Sequence, residues 1–164
     1  MRFSMKKTLF LNSDICTGCL SCQAACAAER GGGAGAALAA LRIGFDPFGG
    51  PHSLTVCRQC DPAPCVKACP AGAIVRRGPA WAVDFDLCIG CLACREACPF
   101  SAIFVHPVTG KPLRCDLCGG EPACAAACGF GALVYGDAEE KKRRGQGVPE
   151  FDQDPELGRG PVKE

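Results

Sequence analysis

Short apolar runs punctuate this chain, and each is broken by polar or turn-forming residues. Thr8-Leu9-Phe10-Leu11 stops at Asn12-Ser13-Asp14 and predicts an N-terminal strand. Ala73-Ile74-Val75-Arg76 and Ala80-Trp81-Ala82-Val83-Asp84 are β-leaning runs around Arg77-Gly78-Pro79, which predicts a hairpin with its turn in the middle. Two pairs of residues spaced four apart, Cys65 with Cys69 and Cys94 with Cys98, would share one face of a helical turn, so short helices are expected there. Gly31-Gly32-Gly33-Ala34-Gly35 and the alanine-rich stretch after it read as a flexible connector leading into a short helix or strand, within Arg30 to Phe48. No apolar run approaches the length of a membrane span.

The pattern repeats. Asp14-Ile15-Cys16-Thr17-Gly18-Cys19 matches Asp86-Leu87-Cys88-Ile89-Gly90-Cys91, and Cys60-Asp61-Pro62-Ala63-Pro64-Cys65 resembles Cys118-Gly119-Gly120-Glu121-Pro122-Ala123-Cys124. The exits recur as Cys69-Pro70-Ala71-Gly72-Ala73-Ile74, Cys98-Pro99-Phe100-Ser101-Ala102-Ile103 and Cys128-Gly129-Phe130-Gly131-Ala132-Leu133. A period of about 30 residues implies a stack of one supersecondary unit. Each unit reads as a cysteine-bearing turn, a short helix and a short strand, which makes the fold class α+β.

All 16 cysteines fall in four blocks. They are Cys16-x2-Cys19-x2-Cys22-x3-Cys26, Cys57-x2-Cys60-x4-Cys65-x3-Cys69, Cys88-x2-Cys91-x2-Cys94-x3-Cys98 and Cys115-x2-Cys118-x5-Cys124-x3-Cys128. The third block, with Pro99 after it, is the bacterial run that binds a [4Fe–4S] cluster, three thiolates on one cubane and the fourth on its neighbour. Four complete blocks imply four [4Fe–4S] clusters. Cysteines two apart on a tight turn rarely meet disulfide geometry. A zinc site closes with four ligands and has no use for the third cysteine of a C-x2-C-x2-C turn.

Composition narrows the function. The 164 residues include 21 glycines and 13 prolines, one Trp and one Tyr, so bulky apolar material is scarce and the clusters must act as the core. The apoprotein is therefore expected to be largely unfolded. A net charge of +1 favours neither nucleic acid nor an anionic membrane. The N-terminal stretch lacks the apolar length and cleavage site of a signal peptide, and so many thiolates suit a reducing compartment, so the expected location is cytoplasmic. There is no nucleophile elbow, phosphate loop or dinucleotide fingerprint, so substrate chemistry is expected to belong to a partner. The tail, residues 137–164, is half charged and is expected to be extended or disordered, ordering on a partner with Phe151 and Leu157 as anchors. Lys141-Lys142-Arg143-Arg144 within it reads as an exposed mixed-charge arm beside Glu139-Glu140.

Which blocks share ligands has two solutions, sequential or nested. Cys69 and Cys98 are followed by proline, while Cys26 and Cys128 are followed by Ala27 and Gly129, which favours nested pairing of the inner two blocks and of the outer two. The blocks resemble the four-cluster electron-transfer subunits that accompany molybdenum and tungsten oxidoreductases, such as the dimethyl-sulfoxide reductase and formate dehydrogenase β-subunits, over about residues 8–136. Within that group, residues 56–60 and 111–124 look most like the small subunits paired with tungsten aldehyde oxidoreductases. The resemblance implies tandem bacterial-ferredoxin-like modules with short helices and small β-hairpins around four clusters. The four-cluster domain would span residues 1–136, with an inner module over 54–108 and an outer module over 8–53 plus 109–136. It implies the ligand sets Cys16, Cys19, Cys22 and Cys128; Cys115, Cys118, Cys124 and Cys26; Cys57, Cys60, Cys65 and Cys98; and Cys88, Cys91, Cys94 and Cys69.

The expected role is a non-catalytic subunit passing electrons between a tungsten or molybdenum oxidoreductase subunit, aldehyde-oxidising, and an acceptor such as a flavin- or NAD-binding subunit or a ferredoxin. A freely diffusing polyferredoxin and a hydrogenase or formate dehydrogenase subunit are the alternatives. Copies stacking head to tail would extend the path through a heterologous contact. Arg58, Lys67, Arg95 and Arg114 lie within or beside cysteine blocks, where a cation would raise a cluster's potential; the simpler reading is a solvated surface charge. His52 and His106 read as loop residues, and Trp81 and Tyr135 equally as shields of a cluster or as packing against a thin core.

Overall fold

In a computed structural model, residues 7–31, 33, 35–46 and 48–137 are described, so the expectations for Met1 to Lys6 and for the tail beyond Asp137 lie outside the described residues. The predicted N-terminal strand is β1 (Thr8–Leu11). The first cysteine block leads into α1 (Ser21–Glu29), a 3-10 turn (Ala36–Leu38), β2 (Leu41–Gly44) and β3 (Ser53–Val56). Then come α2 (Pro64–Lys67), β4 (Ile74–Arg77), β5 (Ala80–Val83), α3 (Ala93–Glu96) and β6 (Ile103–Val105). The chain closes with β7 (Pro112–Arg114), a second 3-10 segment (Leu117–Gly120), α4 (Ala123–Ala126) and β8 (Leu133–Gly136).

Local chemistry explains the short elements. Pro64 sits in the first turn of α2, where its fixed φ suits a helix start and its missing N–H costs nothing. Pro70 and Pro99 forbid continuation past the fourth cysteines of their blocks. Ala27 does not, and α1 runs for nine residues where α2, α3 and α4 have four each. The helices therefore cover less than expected in blocks two and three: Cys69 and Cys98 lie just beyond α2 and α3. The hairpin β4–β5 forms as predicted, with Gly78 at φ 59° and Pro79 as its two-residue turn.

All strand pairs are antiparallel and two-stranded: β1 with β8, β2 with β3, β4 with β5, β6 with β7. The pair β1–β8 joins the far ends of the described chain, from Thr8 opposite Gly136 to Leu11 opposite Leu133. Helix α1 packs on α4, and α2 on α3. Buried apolar residues form two groups. One contains Leu9, Leu41, Val56, Leu117 and Leu133 with Cys22, Cys26, Cys115 and Cys124. The other is smaller: Ala63, Ile74 and Ile103 with Cys65 and Cys94, and Trp81 packed against them.

Neither four-residue helices nor two-stranded hairpins are stable alone in water. Cysteines make up a large part of both apolar groups, so the groups close around the ligands. Polar side chains tie the pieces together. Buried Gln23 of α1 accepts a 2.6 Å hydrogen bond from the Ile43 amide of β2. The Arg42 guanidinium of β2 stacks 4.2 Å from the Phe104 ring centroid of β6, joining the two halves.

Candidate iron–sulfur centres

Each cysteine block opens on the same backbone device. The residue before the second cysteine is left-handed in all four: Gly18 (φ 67°), Gln59 (φ 51°), Gly90 (φ 73°) and Leu117 (φ 59°). Such a turn points successive N–H groups inward and makes an anion-binding concavity. Glycine adopts that conformation freely, whereas Gln59 and Leu117 carry a steric cost and repay it by filling space. Both are fully buried, at 1% and 0% exposure. Gln59 Nε2 donates to the Cys115 carbonyl at 2.7 Å, and its Oε1 accepts from the Trp81 amide at 2.9 Å. One side chain thereby links block two, block four and the β4–β5 hairpin. Reading the blocks in register would have exposed this shared position, but not the bridging role of Gln59.

Two sets of four thiols each line a cavity. One cavity, about 330 Å³ including its open mouth, is lined by Cys16, Cys19, Cys22 and Cys128. A second, about 310 Å³, is lined by Cys69, Cys88, Cys91 and Cys94. Cys65 lies in the electrostatic reach of Cys57 and Cys98, and Cys60 packs on the same apolar group. Cys124 feels Cys26 and Cys118, and Cys118 in turn feels Cys26. Among the described residues, no three His, Cys, Asp or Glu side chains converge on a point that would hold one metal ion. That suits a cubane, whose four thiolates bind four different irons and so frame a volume instead of a point. The donor sets fit the cofactor.

Charge on one set reaches the next. Cys94 feels Cys65, Cys115 feels Cys57, and Cys124 feels Cys22. These neighbours fit a row from the Cys88 turn through those of Cys57 and Cys115 to that of Cys16. Exposure agrees: Cys19 and Cys91, in the two terminal sites, are the exposed cysteines, while Cys57, Cys65, Cys115 and Cys124 are buried. Burial pushes the Cys22 and Cys94 thiols up to about 11 and Cys124 up to about 12, with Cys115 raised further still. Such groups ionise near neutrality only with a cation to bind. Exposed Cys19 moves the other way, lowered chiefly by its hydrogen bond with the Ser21 hydroxyl.

Backbone amides serve the fourth cysteine of every block. Cys69 Sγ accepts from Ala73 N at 3.3 Å, Cys98 from Ala102 N at 3.4 Å and Cys128 from Leu133 N at 3.3 Å. Cys26 accepts from Ala40 N at 3.3 Å, across the connector. Of the cations singled out in the sequence, Lys67 and Arg95 are exposed and Arg58 stacks 5.7 Å from the Phe100 centroid. Arg114 is different: it is 3% exposed, and its Nε and Nη1 have no partner among the described residues. Arg30, which sequence reasoning missed, faces Cys26 and Cys115 and pairs with Asp116 at 3.0 Å. His106 Nδ1 accepts from the amides of its own turn, and His52 lies edge-on to Phe45. Trp81 Nε1 donates to the Cys60 carbonyl at 3.1 Å, and Tyr135 packs on the larger apolar group.

Comparison with known proteins bears on these sites. Residues 53–138 match the 4Fe-4S dicluster domain, and residues 13–29 match a 4Fe-4S binding domain. Protein NrfC of Escherichia coli K12 is 35% identical over 113 residues, covering 64% of this chain and 50% of that protein. One subunit of the tetrathionate reductase of Archaeoglobus fulgidus is 38% identical over 108 residues, covering 61% of this chain and 49% of that protein. The chain spans about half the length of these curated relatives. Among solved structures, the active site complex BamBC of benzoyl coenzyme A reductase with zinc is similar at 23% identity and a TM-score of 0.47, covering 93% of this chain and 86% of that one. The matched domains and the 16 cysteines provide for four [4Fe–4S] clusters. Among the described residues, no helix is long and apolar enough to cross a membrane.

Proposed function

This chain belongs to the 4Fe-4S dicluster domain family, and from that premise we propose that it is a non-catalytic electron-transfer subunit of an oxidoreductase complex. The observation that carries the reading is the pair of cavities, each lined by four thiols, with Cys19 exposed at one and Cys91 at the other. Bound clusters supply one-electron redox capacity. The residues of the chain hold them in line, cover the middle two and leave the ends near the surface.

The ligand sets in this reading are nested: Cys16, Cys19, Cys22 with Cys128; Cys115, Cys118, Cys124 with Cys26; Cys57, Cys60, Cys65 with Cys98; and Cys88, Cys91, Cys94 with Cys69. The lining of the two cavities supports the first and last. The inner pair forms one ferredoxin-like module over residues 54–108, and the outer pair forms a second over 8–53 plus 109–136; the smaller apolar group lies wholly within 54–108, while the larger joins the outer segments to Val56, Cys57 and Ala80 of the inner one. The catalytic partner is a tungsten or molybdenum oxidoreductase subunit that oxidises aldehydes, on the resemblance of residues 56–60 and 111–124. The acceptor is a flavin- or NAD-binding subunit or a ferredoxin, and the setting is the cytoplasm.

Anaerobic affinity purification of the native protein, with metal and sulfide analysis, tests this. We expect iron and sulfide for four clusters per chain and a co-purifying subunit that contains tungsten or molybdenum. Iron for only two clusters, or zinc in place of iron, would sink the cluster assignment. A stable partner with neither heavy metal would remove the tungsten and molybdenum reading.

A further inference from the structure

A cation in a protein interior is stable only against a counter-charge, because removing it from water costs several kcal/mol. Arg114 breaks that rule among the described residues. Its side chain is buried, and Nε and Nη1 meet no acceptor. The described ion pairs engage Asp116, Asp61 and Asp84 with Arg30, Arg76 and Arg77 instead. The register places Arg114 opposite Ile103, so the two side chains share one face of the β6–β7 pair. Ile103 packs with Cys65, Cys94 and Cys98. Burial raises the Cys65 thiol, and the nearby charge of Arg114 works against that rise. The guanidinium therefore faces the site of the block-two turn, where Cys57 Sγ and Cys98 Sγ already accept the amides of Gln59 and Ala102.

A [4Fe–4S] core ligated by four thiolates is an anion, and one added electron makes it more so. A buried guanidinium with two unpartnered nitrogens stabilises the reduced form more than the oxidised form, as hydrogen bonds to the sulfurs do. The neighbouring site has a cation too, but the Asp116 carboxylate offsets Arg30. We propose that Arg114 is the positioning residue that raises the reduction potential of the cluster held by Cys57, Cys60 and Cys65, making it the station in the row where an electron rests. This deepens the electron-transfer reading and rests on it.

The test is a redox titration followed by electron paramagnetic resonance on the full chain, as wild type, R114Q and R114K. The block-two component is identified as the one altered by Cys60→Ser. In R114Q, with iron content unchanged, its equilibrium constant for reduction should fall roughly tenfold, which is about 59 mV for one electron. The other three components should stay put, and R114K should recover most of the shift because it keeps the charge. Unmoved midpoints in R114Q, or a shift in another cluster instead, would overturn the role of Arg114. If R114Q cannot hold its iron, wild-type protein with guanidinium-labelled nitrogen-15 arginine decides. Nitrogen coupling to the block-two spin that vanishes in R114K supports the assignment, and no coupling overturns it. Clusters that cannot be reduced and reoxidised at all would sink the electron-transfer reading itself, whereas cycling clusters with unmoved midpoints sink only Arg114.

Discussion

Residues 54–108 and the two flanking segments that enclose them use the same unit and finish it differently. In the enclosed segment each helix stops within one turn, proline follows the fourth cysteine, and the sulfur takes an amide four residues on, from Ala73 or Ala102. In the flanks, Cys128 keeps nearly that pattern with Leu133, but α1 runs on past Cys26 to Glu29. Its sulfur then draws an amide from Ala40, on the far side of the connector. The charges differ as well. Arg30 in the flanks pairs through Nη2 with Asp116, its Nε left without a partner, while both Nε and Nη1 of Arg114 have none among the described residues. The ligand geometry is thus maintained by any donor that reaches the sulfur, while the surrounding charge is free to vary. That freedom lets four chemically identical clusters have different potentials.

The strongest way to break the comparison is to remove one fourth cysteine from each region. Cys128→Ala should cost the chain the cluster of Cys16, Cys19 and Cys22 and spare those of blocks two and three. Cys98→Ala should cost it the cluster of Cys57, Cys60 and Cys65. Iron content with resonance spectroscopy reads both, and loss of the block-three cluster in Cys128→Ala would show sequential pairing instead.

A smaller effect sharpens the contrast at the shared turn. Gly18→Ala and Gly90→Ala both force a side chain into a left-handed conformation, at about 1–2 kcal/mol. At Gly90 the new methyl group meets nothing within 4 Å, but at Gly18 it falls 2.5 Å from Phe45 Cε1 and 3.0 Å from His52 Nε2. Gly18→Ala should therefore cost about 1 kcal/mol more. Faster bleaching of cluster absorbance in denaturant measures it, and equal rates for the two variants would mean that Phe45 and His52 move aside freely.

The smallest effect comes from making the flank electrostatically like the enclosed segment. Asp116→Asn keeps an oxygen able to accept from the Cys118 amide but leaves the charge of Arg30 unbalanced. Stability should change by less than about 1 kcal/mol, since the pair is partly exposed. The potential of the cluster at Cys115, Cys118 and Cys124 should rise, by less than R114Q lowers its neighbour's. Redox titration checks it, and a fall would contradict the electrostatic account.

Much of this molecule was legible in advance. The strand at Thr8 to Leu11, the hairpin around Gly78-Pro79, the helical turns at Cys65 and Cys94 and the matched 4Fe-4S domains all follow from short-range pattern. Less legible were the positions that act at a distance. Gln59 looked like any residue between two cysteines, yet it bridges three segments. Arg30 lay outside the cysteine blocks, and Arg114 was indistinguishable from solvated Lys67 and Arg95. Three thiolates for one corner of a cubane must come from a single tight turn, so their identity and the cofactor they imply are written in local spacing, and the sequence alone determined them. The exposure of Cys19 and Cys91, the burial of Cys57 and Cys115, and the burial of Arg114 with no partner for Nε or Nη1 among the described residues arise from packing between separate segments. Only the tertiary structure decided those, because burial and electrostatic environment are properties of neighbours far apart in the chain.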